Sequence, residues 1–254
     1  LIWRKVLYLL LDGFPLLFSR VQWYVRAMKY RLKRFDVAVI SLTGLSPTFC
    51  CSFVRASKRL LWIRNDLAHC DPDGHATRNI QLHNNLIDCF VCVSNTAQQS
   101  LVGSFPMLKD KTMVMYNIID SNEMLARAAG ADSPYSAYGN SLKVVTVCRL
   151  SDHAKGLFRM LGVHRQLRDS GINFFWFVVG DGPDRESLLQ GIAEQGMEGR
   201  FILLGRKDNP FPYHRFADVS ATLSYYEGLC GTVNEAKVMG RPVIATRFSG
   251  IEEQ

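Results

Sequence analysis

Residues 219–246 read VSATLSYYEGLCGTVNEAKVMGRPVIAT, a stretch in which two short apolar segments flank one helical segment. Residues 219–224 and 242–246 predict buried strands, because each is a short apolar run bounded by turn residues. Residues 231–239 predict a helix between them. The stretch therefore predicts a strand–helix–strand unit of an α/β fold.

The same alternation extends through the second part of the chain. Strands are predicted at 143–148, 173–179, 200–204, 219–224 and 242–246, and helices at about 156–169, 184–195, 212–217 and 231–239. Strand and helix in strict turn predict a parallel sheet with helices on both faces.

The first part of the chain predicts a less regular α/β lobe. Helices are predicted at 1–34 (with a break near residues 13–15), 77–86 and 95–102, and strands at 36–41, 59–63, 87–93 and 112–116. Residues 117–141 are rich in Asp, Asn, Ser, Gly, Pro and Ala, which is typical of a linker. We predict an incomplete N-terminal lobe over 1–120, a linker over 121–141 and a C-terminal lobe over 142–254, in a fragment truncated at both ends.

Seven residues separate Glu227 from Glu235, where the strand at 219–224 gives way to the next helix. Open α/β sheets bind ligands at the carboxyl edge of their strands. Gly228 and Gly231 allow a close approach of the backbone, and the amides that begin the helix can bind phosphate oxygens. Two carboxylates beside such amides suit a phosphorylated, hydroxyl-rich ligand. Alone, however, the two carboxylates equally fit a solvated surface.

Arg149 and Lys155 follow the first predicted strand of the second part and point to the same sheet edge. Two cations and a helix start can neutralise a diphosphate and stabilise it as a leaving group. The alternative is a surface Arg and a surface Lys near a loop.

Two further loops have simpler explanations than ligand binding. Gly180-Asp181-Gly182-Pro183 resembles a dinucleotide fingerprint, but Arg185 stands at its third glycine position, so a tight turn with Pro183 starting a helix is the better interpretation. The prolines of residues 205–213 fix that loop, which predicts either a rigid connector or a contact to a nucleobase.

Metal and disulfide signals are weak. Asp71-Pro72-Asp73 matches the D-x-D spacing of metal-dependent sugar transferases, but these are also turn residues. Cys89 and Cys92 form one C-x-x-C without the second pair that a zinc site needs. The seven cysteines predict buried thiols in a reducing compartment.

The net charge of +7 is concentrated near the start of the chain. Residues 1–34 carry eight Lys and Arg, one Asp and several interleaved Trp and Tyr. Such a segment can lie on an anionic membrane surface, form the solvated side of core helices, or bind nucleic acid, for which no module is present. No apolar run near the start reaches the roughly 20 residues of a membrane-spanning helix.

The ordered set of motifs resembles the retaining, family-4-type glycosyltransferases, bacterial enzymes with the two-lobed GT-B fold, and covers residues 35–254. In the second part the likeness rests on Val147-Cys148-Arg149-Leu150-Ser151, Lys155-Gly156, Val179-Gly180-Asp181-Gly182-Pro183, Leu204-Gly205, Asn209-Pro210-Phe211-Pro212-Tyr213, Tyr226-Glu227-Gly228, Glu235-Ala236, residues 240–246 and Gly250. In the first part it rests on residues 35–40, 61–63, 92–94 and 116–120.

The resemblance implies a role for each candidate residue. Glu227 would be the catalytic-site carboxylate that holds hydroxyls of the transferred sugar, and Glu235 would accept hydrogen bonds from the ribose. The remaining donor-binding residues are Arg149 and Lys155 at the diphosphate, Arg206 and Lys207 near the base, and Gly228, Leu229, Cys230, Gly231 and Thr232 at sugar and phosphate.

The resemblance also implies partners and a location. It implies a nucleoside-diphosphate sugar such as a UDP-sugar as donor substrate, with no metal and no cofactor, and a glycan or lipid-linked acceptor in polysaccharide biosynthesis. We expect a cytoplasmic protein, docked peripherally on the inner face of the membrane through residues 1–34.

Two departures from the family pattern keep other functions open. Arg64 stands where the family often has a His that lines the cleft near the sugar, and the glycine-rich acceptor loop that opens the first lobe is absent. A noncatalytic nucleotide-binding relative and a GT-B-fold sugar-nucleotide epimerase are the alternatives.

Overall fold

The computed structural model describes residues 28, 30–41, 47–71 and 73–254. The predicted break near residues 13–15 and most of the basic segment at 1–34 lie outside the described residues. The described chain divides into two compact units, and the second comprises 64–70, 93–100 and 114–254.

The first half of the chain alternates short helices with strands. In chain order these are β1 (Arg34–Ser41), α1 (Pro47–Phe53), β2 (Arg55–Ile63), α2 (Leu67–Cys70), α3 (His75–His83), β3 (Cys89–Cys92), α4 (Asn95–Ser104) and β4 (Thr112–Val114). Turns of 3₁₀-helix cover Asn84–Leu86 and Pro106–Lys111.

The second half repeats the strand–helix alternation more regularly. Its elements are α5 (Ser121–Ala129), β5 (Leu142–Val147), α6 (Asp152–Lys155), α7 (Leu157–Asp169), β6 (Phe174–Val179), α8 (Arg185–Glu194), β7 (Phe201–Gly205), α9 (Phe211–Phe216), β8 (Val219–Thr222), α10 (Gly231–Val238) and β9 (Val243–Ala245). A 3₁₀ turn covers Ser136–Tyr138.

The first unit contains a four-stranded sheet in the order β1-β2-β3-β4. β1 and β2 are parallel, as are β2 and β3, with Ile40 beside Leu61 and Leu61 beside Phe90. These three side chains are completely buried and form the centre of this core. β2 begins at Arg55, four residues before the predicted start, because pairing with β1 extends it through the polar residues Arg55–Lys58.

The second unit contains a five-stranded sheet in the order β7-β6-β5-β8-β9, in which every neighbouring pair is parallel. Val144 and Trp176 pack into one apolar cluster with α7 and α8, whereas Val145 and Phe177 pack into another, beside Tyr135. Successive residues of a strand point to opposite faces, so the sheet is covered on both sides. The predicted parallel sheet is confirmed.

The segment predicted to link the lobes carries a packed helix. The carboxylate of Asp120 accepts a hydrogen bond from the amide of Glu123 and caps α5. Ala128 is buried against Phe211, and Tyr135 is only 1% exposed. Part of this polar segment thus forms a helix that packs on the second unit.

Among the residues that the model describes, no helix is both long enough and apolar enough to cross a membrane.

Candidate active site

Lys155 and Glu227 meet at the carboxyl edge of the second sheet. Lys155 ends α6, in the loop that follows β5, and Glu227 lies in the loop between β8 and α10. Lys155 Nζ lies 2.5 Å from Glu227 Oε1, which also accepts a hydrogen bond of 2.7 Å from the Ser224 hydroxyl. Their side chains are 23% and 12% exposed. The structure therefore brings together one predicted diphosphate ligand and the predicted sugar-binding carboxylate.

Burial and charge set the protonation of Lys155 and of two cysteines near it. Burial acts to lower the pKa of Lys155, but the neighbouring Glu227 carboxylate outweighs it and raises the pKa above the ordinary value. Burial raises the pKa of the Cys148 thiol to about 12, and burial with the Glu227 charge also raises that of Cys230. The site thus presents an ammonium and a carboxylate beside two neutral thiols.

Backbone contacts hold the Glu227 loop against the Lys155 loop. Gly156 has a φ of 65°, and a Cβ there would lie 2.5 Å from the carbonyl oxygen of Leu223. The Tyr225 amide donates a 2.8 Å hydrogen bond to the carbonyl of Ala154. This close approach explains why the predicted helix at 156–169 is preceded by a separate turn, α6, that ends at a left-handed glycine.

Arg159 supports the same loop from α7. Its guanidinium donates to the Leu223 carbonyl at 3.2 Å and lies 3.9 Å from the centre of the Tyr225 ring. The hydroxyl of Thr246 donates a 2.6 Å hydrogen bond to the carbonyl of Ser224. Sequence reasoning gave neither residue a role: Arg159 lies outside the quoted motifs, and Thr246 was only the last residue of the motif at 240–246.

Arg64, which stands where the family often has a His, lies beside the Glu227 loop because Gly228 allows the two backbones to approach closely. A Cβ at Gly228 would overlap the carbonyl oxygen of Arg64, and a Cβ at Gly250, which has a φ of 81°, would overlap the carbonyl of Gly228. The Arg64 side chain is exposed. His69, five positions beyond Arg64, is held by Asp66, with 2.7 Å between Nδ1 and Oδ2.

Glu235 lies one turn into α10, as predicted, and is 22% exposed. Its Oε2 lies 3.5 Å from Nε2 of His214, which is completely buried and whose Nδ1 is 3.2 Å from the Ser220 hydroxyl. Among the described residues, neither Glu235 Oε2 nor His214 Nε2 has a hydrogen-bond partner. Because Oε2 is buried against His214, a ligand hydroxyl can reach only the exposed part of the Glu235 carboxylate. No sequence signal pointed to His214.

The start of α10 is only partly open. Gly231 is exposed, whereas the amide of Cys230 donates a 2.9 Å hydrogen bond to the side-chain oxygen of Gln254. The thiol of Cys230 lies 3.2 Å from the Thr232 hydroxyl. Leu229 is half-buried in the preceding loop.

The other predicted cations lie in loops that follow strands of the same sheet. Arg149 is exposed two residues beyond the end of β5. Arg206 and Lys207 are exposed directly after β7, and Arg206 Nε lies 4.0 Å from Asp208. Their side chains are thus available to solvent.

The glycines at 180 and 182 brace the Arg149 loop. A Cβ at either position would overlap a backbone carbonyl, that of Cys148 or that of Leu150. The Leu150 amide donates to the carbonyl of Asp181 at 3.0 Å. These contacts favour the tight-turn interpretation, but α8 begins at Arg185, after Asp184, so Pro183 lies before the helix rather than at its start.

Asp71 acts as a helix-capping residue. Its carboxylate accepts hydrogen bonds from the amides of Ala76 and Thr77 at 3.0 and 2.8 Å, near the start of α3, and Asp73 is exposed. Pro72 lies outside the described residues. Among those described, no group of three or more His, Cys, Asp or Glu is placed to hold a metal. All seven cysteines are described, and no disulfide joins them.

Comparison with known protein families gives a match to the second lobe. Residues 141–254 match the family Glycosyl transferases group 1. This group 1 domain contains β5 to β9 and every predicted donor-binding residue. The match agrees with the resemblance that the motifs indicated.

Curated relatives extend the likeness beyond the group 1 domain. An uncharacterized glycosyltransferase of Methanocaldococcus jannaschii is 24% identical over 217 residues, which are 83% of this chain and 53% of that protein. A 2-deoxystreptamine glucosyltransferase of Streptomyces kanamyceticus is 36% identical over 101 residues, 39% of this chain and 26% of that protein. The chain thus spans about half the length, or less, of these relatives.

Solved structures confirm the fold. The Anabaena protein HepE in complex with UDP and glucose superimposes with a TM-score of 0.69 and 20% identity, over 96% of this chain and 66% of that one. The complex of the same protein with UDP-glucose gives a TM-score of 0.67 over 86% and 61% of the two chains. The predicted α/β, GT-B-like fold with two parallel sheets is confirmed.

Proposed function

We propose that the chain is the donor-binding part of a glycosyltransferase that moves a sugar from a nucleoside-diphosphate sugar to a glycan or lipid-linked acceptor, with retained anomeric configuration. The observation that carries the proposal is the 2.5 Å contact between Lys155 and Glu227 beside the start of α10. A cation for the diphosphate and a carboxylate for hydroxyls lie together at the sheet edge where α/β proteins bind ligands.

When the donor binds, a phosphate oxygen would replace Glu227 as the partner of Lys155. With its raised pKa the ammonium is charged near neutral pH, and a phosphate oxygen that approaches it competes with Glu227. Glu227 keeps the Ser224 hydroxyl and becomes available to hydroxyls of the sugar. Arg149 reaches the diphosphate from the same connection after β5, and the ribose hydroxyls donate to the partly exposed carboxylate of Glu235.

The transfer step needs charge stabilisation at the leaving group. The bond between the anomeric carbon and the phosphate oxygen breaks, and the acceptor oxygen forms its bond on the same face of the sugar. The acceptor proton passes to a leaving phosphate oxygen. Lys155 and Arg149 stabilise the nucleoside diphosphate as its negative charge develops, so the step requires no metal and no cofactor.

The relatives support a uridine donor and a glycoconjugate product. HepE is solved with UDP and with UDP-glucose, and the Escherichia coli protein named "putative colanic acid biosynthesis glycosyltransferase" is 30% identical over 132 residues, 47% of this chain and 31% of that protein. We assign Arg206 and Lys207 to contacts with the donor base. We assign the sugar transfer to polysaccharide or glycoconjugate synthesis in the cytoplasm.

The test is a transfer assay with UDP-glucose, with and without EDTA, in the presence of simple glycoside or lipid-phosphate acceptors. We expect release of UDP that EDTA does not abolish, and an α-linked product by NMR from the α-linked donor. A β-linked product would overturn retention. Binding of UDP without release from any donor would favour the noncatalytic relative, and conversion of the donor without an acceptor would favour the epimerase.

We further propose that residues 1–34 dock on an anionic membrane surface. The excess of Lys and Arg over Asp in this segment, with its interleaved aromatic residues, supports docking. We expect the chain to sediment with phosphatidylglycerol vesicles at low salt and to dissociate as salt screens the charges. Absence of sedimentation at low salt would exclude the proposal.

A further inference from the structure

A pocket separate from the candidate donor site lies at the edge of the second sheet opposite to Lys155. It is formed by the end of α7, the start of β6 and Arg200, just before β7, and has a volume of about 280 Å³. Phe174, the first residue of β6, lines it. Since β5 and β6 are parallel, their amino ends form this edge and the loop that carries Lys155 follows the other. The pocket is therefore separate from the donor site.

His164 lines this pocket and is an unsatisfied polar group. Its side chain is 1% exposed, and among the described residues neither ring nitrogen has a hydrogen-bond partner. The ring centre lies 4.7 Å from that of Phe174 and 5.7 Å from that of Phe201. A buried polar group without a partner costs about 1–3 kcal/mol. A ligand that supplied a hydrogen bond would recover part of that free energy.

Two arginines give the pocket a positive rim. Arg168 donates to the Gln195 carbonyl at 3.2 Å, and Arg200 donates to the side-chain oxygen of Asn173 at 2.7 Å. The guanidinium of Arg200 also lies 4.5 Å from the Phe175 ring centre. These bonds fix both head groups. Arg168 also bonds Asp169 through Nε and Nη2 and the Gly196 carbonyl through Nη1, which leaves it one Nη2 hydrogen for a ligand. Arg200 uses Nη1 alone and keeps its other donors.

Charged side chains from two elements act on His164: Arg168 on its own helix and Arg200 just before β7. Burial lowers the pKa of His164, and the two arginines lower it further. The carboxylate of Asp169 lies 3.1 Å from Arg168 and offsets part of its charge, but it is 60% exposed. The imidazole is thus neutral at pH 7. Its one N–H donor and one acceptor are buried, so a ligand reaches them only when the lining side chains shift.

We propose that this pocket binds a small organic phosphate, with the phosphate group between Arg168 and Arg200 and the organic part against Ile172 and Phe174. Two guanidinium groups match the charge and the planar recognition of a phosphate dianion. A volume below the roughly 300–1,000 Å³ of drug-sized sites fits a ligand with a single ring or a short chain. The inference does not depend on the proposed transferase activity.

The test uses phenyl phosphate as the probe and the ring signals of His164 as the readout, in protein labelled with ¹³C and ¹⁵N at histidine. His164→Phe, which keeps an aromatic ring among the aromatic neighbours, assigns the signals. We expect saturable shifts and a rise in the His164 pKa, because a bound dianion offsets the field of the two arginines. Benzyl alcohol, which lacks the charge, should give no such rise.

Matched variants locate the binding. Arg200→Gln and Arg168→Gln should each lower the affinity for phenyl phosphate by about tenfold or more. Arg165 is exposed on α7, the helix of Arg168, and lies outside the pocket lining, so Arg165→Gln should leave that affinity unchanged. Lys155→Ala should also leave it unchanged. Three results would overturn the proposal: no saturation with the native chain, equal weakening by Arg165→Gln, or loss of binding in Lys155→Ala.

Discussion

Lys155 and Glu227 form a partly buried ion pair with 2.5 Å between Nζ and Oε1, although 72 positions separate them along the chain. The Ser224 hydroxyl bonds the same carboxylate oxygen. The pair is held by the loop after β5 and the loop after β8, and these strands are neighbours in the sheet. The contact therefore follows from the sheet order, and the predictions concern what each partner does.

Glu227→Gln should separate sugar transfer from nucleotide binding. The amide keeps the shape of the side chain but loses the charge, so hydroxyls of the sugar lose a charged acceptor while Lys155 remains for the diphosphate. We expect transfer to fall by about 10²-fold and UDP affinity to change by less than about threefold. Steady-state kinetics and calorimetry measure the two effects. An unchanged transfer rate would exclude a role for Glu227 at the sugar.

Gly228→Ala should displace the Glu227 loop, because the added Cβ overlaps the carbonyl oxygen of Arg64. Backbone cannot move aside as a flexible side chain can, so we expect a loss of about 1–3 kcal/mol in the free energy of unfolding together with weaker donor binding. Urea unfolding measures the first effect.

Gly162→Ala is the matched control for Gly228→Ala. Gly162 lies inside α7, and a Cβ there meets no atom within 4 Å. We expect a gain of roughly 0.5–1 kcal/mol, since alanine favours a helix over glycine. Equal stability of the two variants would contradict the close approach at Gly228.

Glu253→Gln should make the free energy of unfolding depend less on pH in the acid range. The Glu253 carboxylate accepts the amides of Asn95 and Thr96, each at 2.8 Å, at the start of α4. Burial acts to raise the pKa of Glu253, but these bonds and hydroxyl donors outweigh it and lower the pKa to about 2. Because the folded pKa lies below the unfolded one, the stabilisation is complete above about pH 5 and is lost as the pH falls through 2.

The size of this effect is limited by solvent screening, so we expect on the order of 1 kcal/mol. Thermal unfolding between pH 6 and 2 measures it. The native chain should lose more stability over this interval than Glu253→Gln, and the exposed-site control Glu198→Gln should behave like the native chain. Parallel curves for the native chain and Glu253→Gln would show that the carboxylate does not stabilise α4.

Asp66→Ala should destabilise the second unit. Asp66 is 4% exposed, and its carboxylate accepts hydrogen bonds from the hydroxyls of Ser100, at 2.6 Å, and of Ser249. Removal leaves these groups without their acceptor, which should cost about 2–4 kcal/mol. Asp73→Ala, at an exposed position, should change stability by less than about 0.5 kcal/mol. Similar chemical-denaturation midpoints for the two variants would refute the buried network.

The sequence predicted the second sheet well because its strands are continuous apolar runs, such as Phe174–Val179, which a parallel sheet buries on both faces. Glu227 and Lys155 were predictable because they belong to short motifs. His214, Arg159 and Asp66 were not, since each acts through contacts to residues that are distant in the sequence. The packed helix Ser121–Ala129 was missed because its exposed face is polar.

Lys155 is proposed to bind the diphosphate of a nucleotide-sugar donor, and calorimetric titration with UDP and with GDP, each with magnesium and with EDTA, measures that binding. We expect tighter binding of UDP than of GDP, equal in magnesium and EDTA. The affinity for UDP should fall by at least about tenfold in Lys155→Ala and be retained in Lys143→Ala, near the amino end of β5. Native affinity for UDP in Lys155→Ala would exclude Lys155 as a diphosphate ligand.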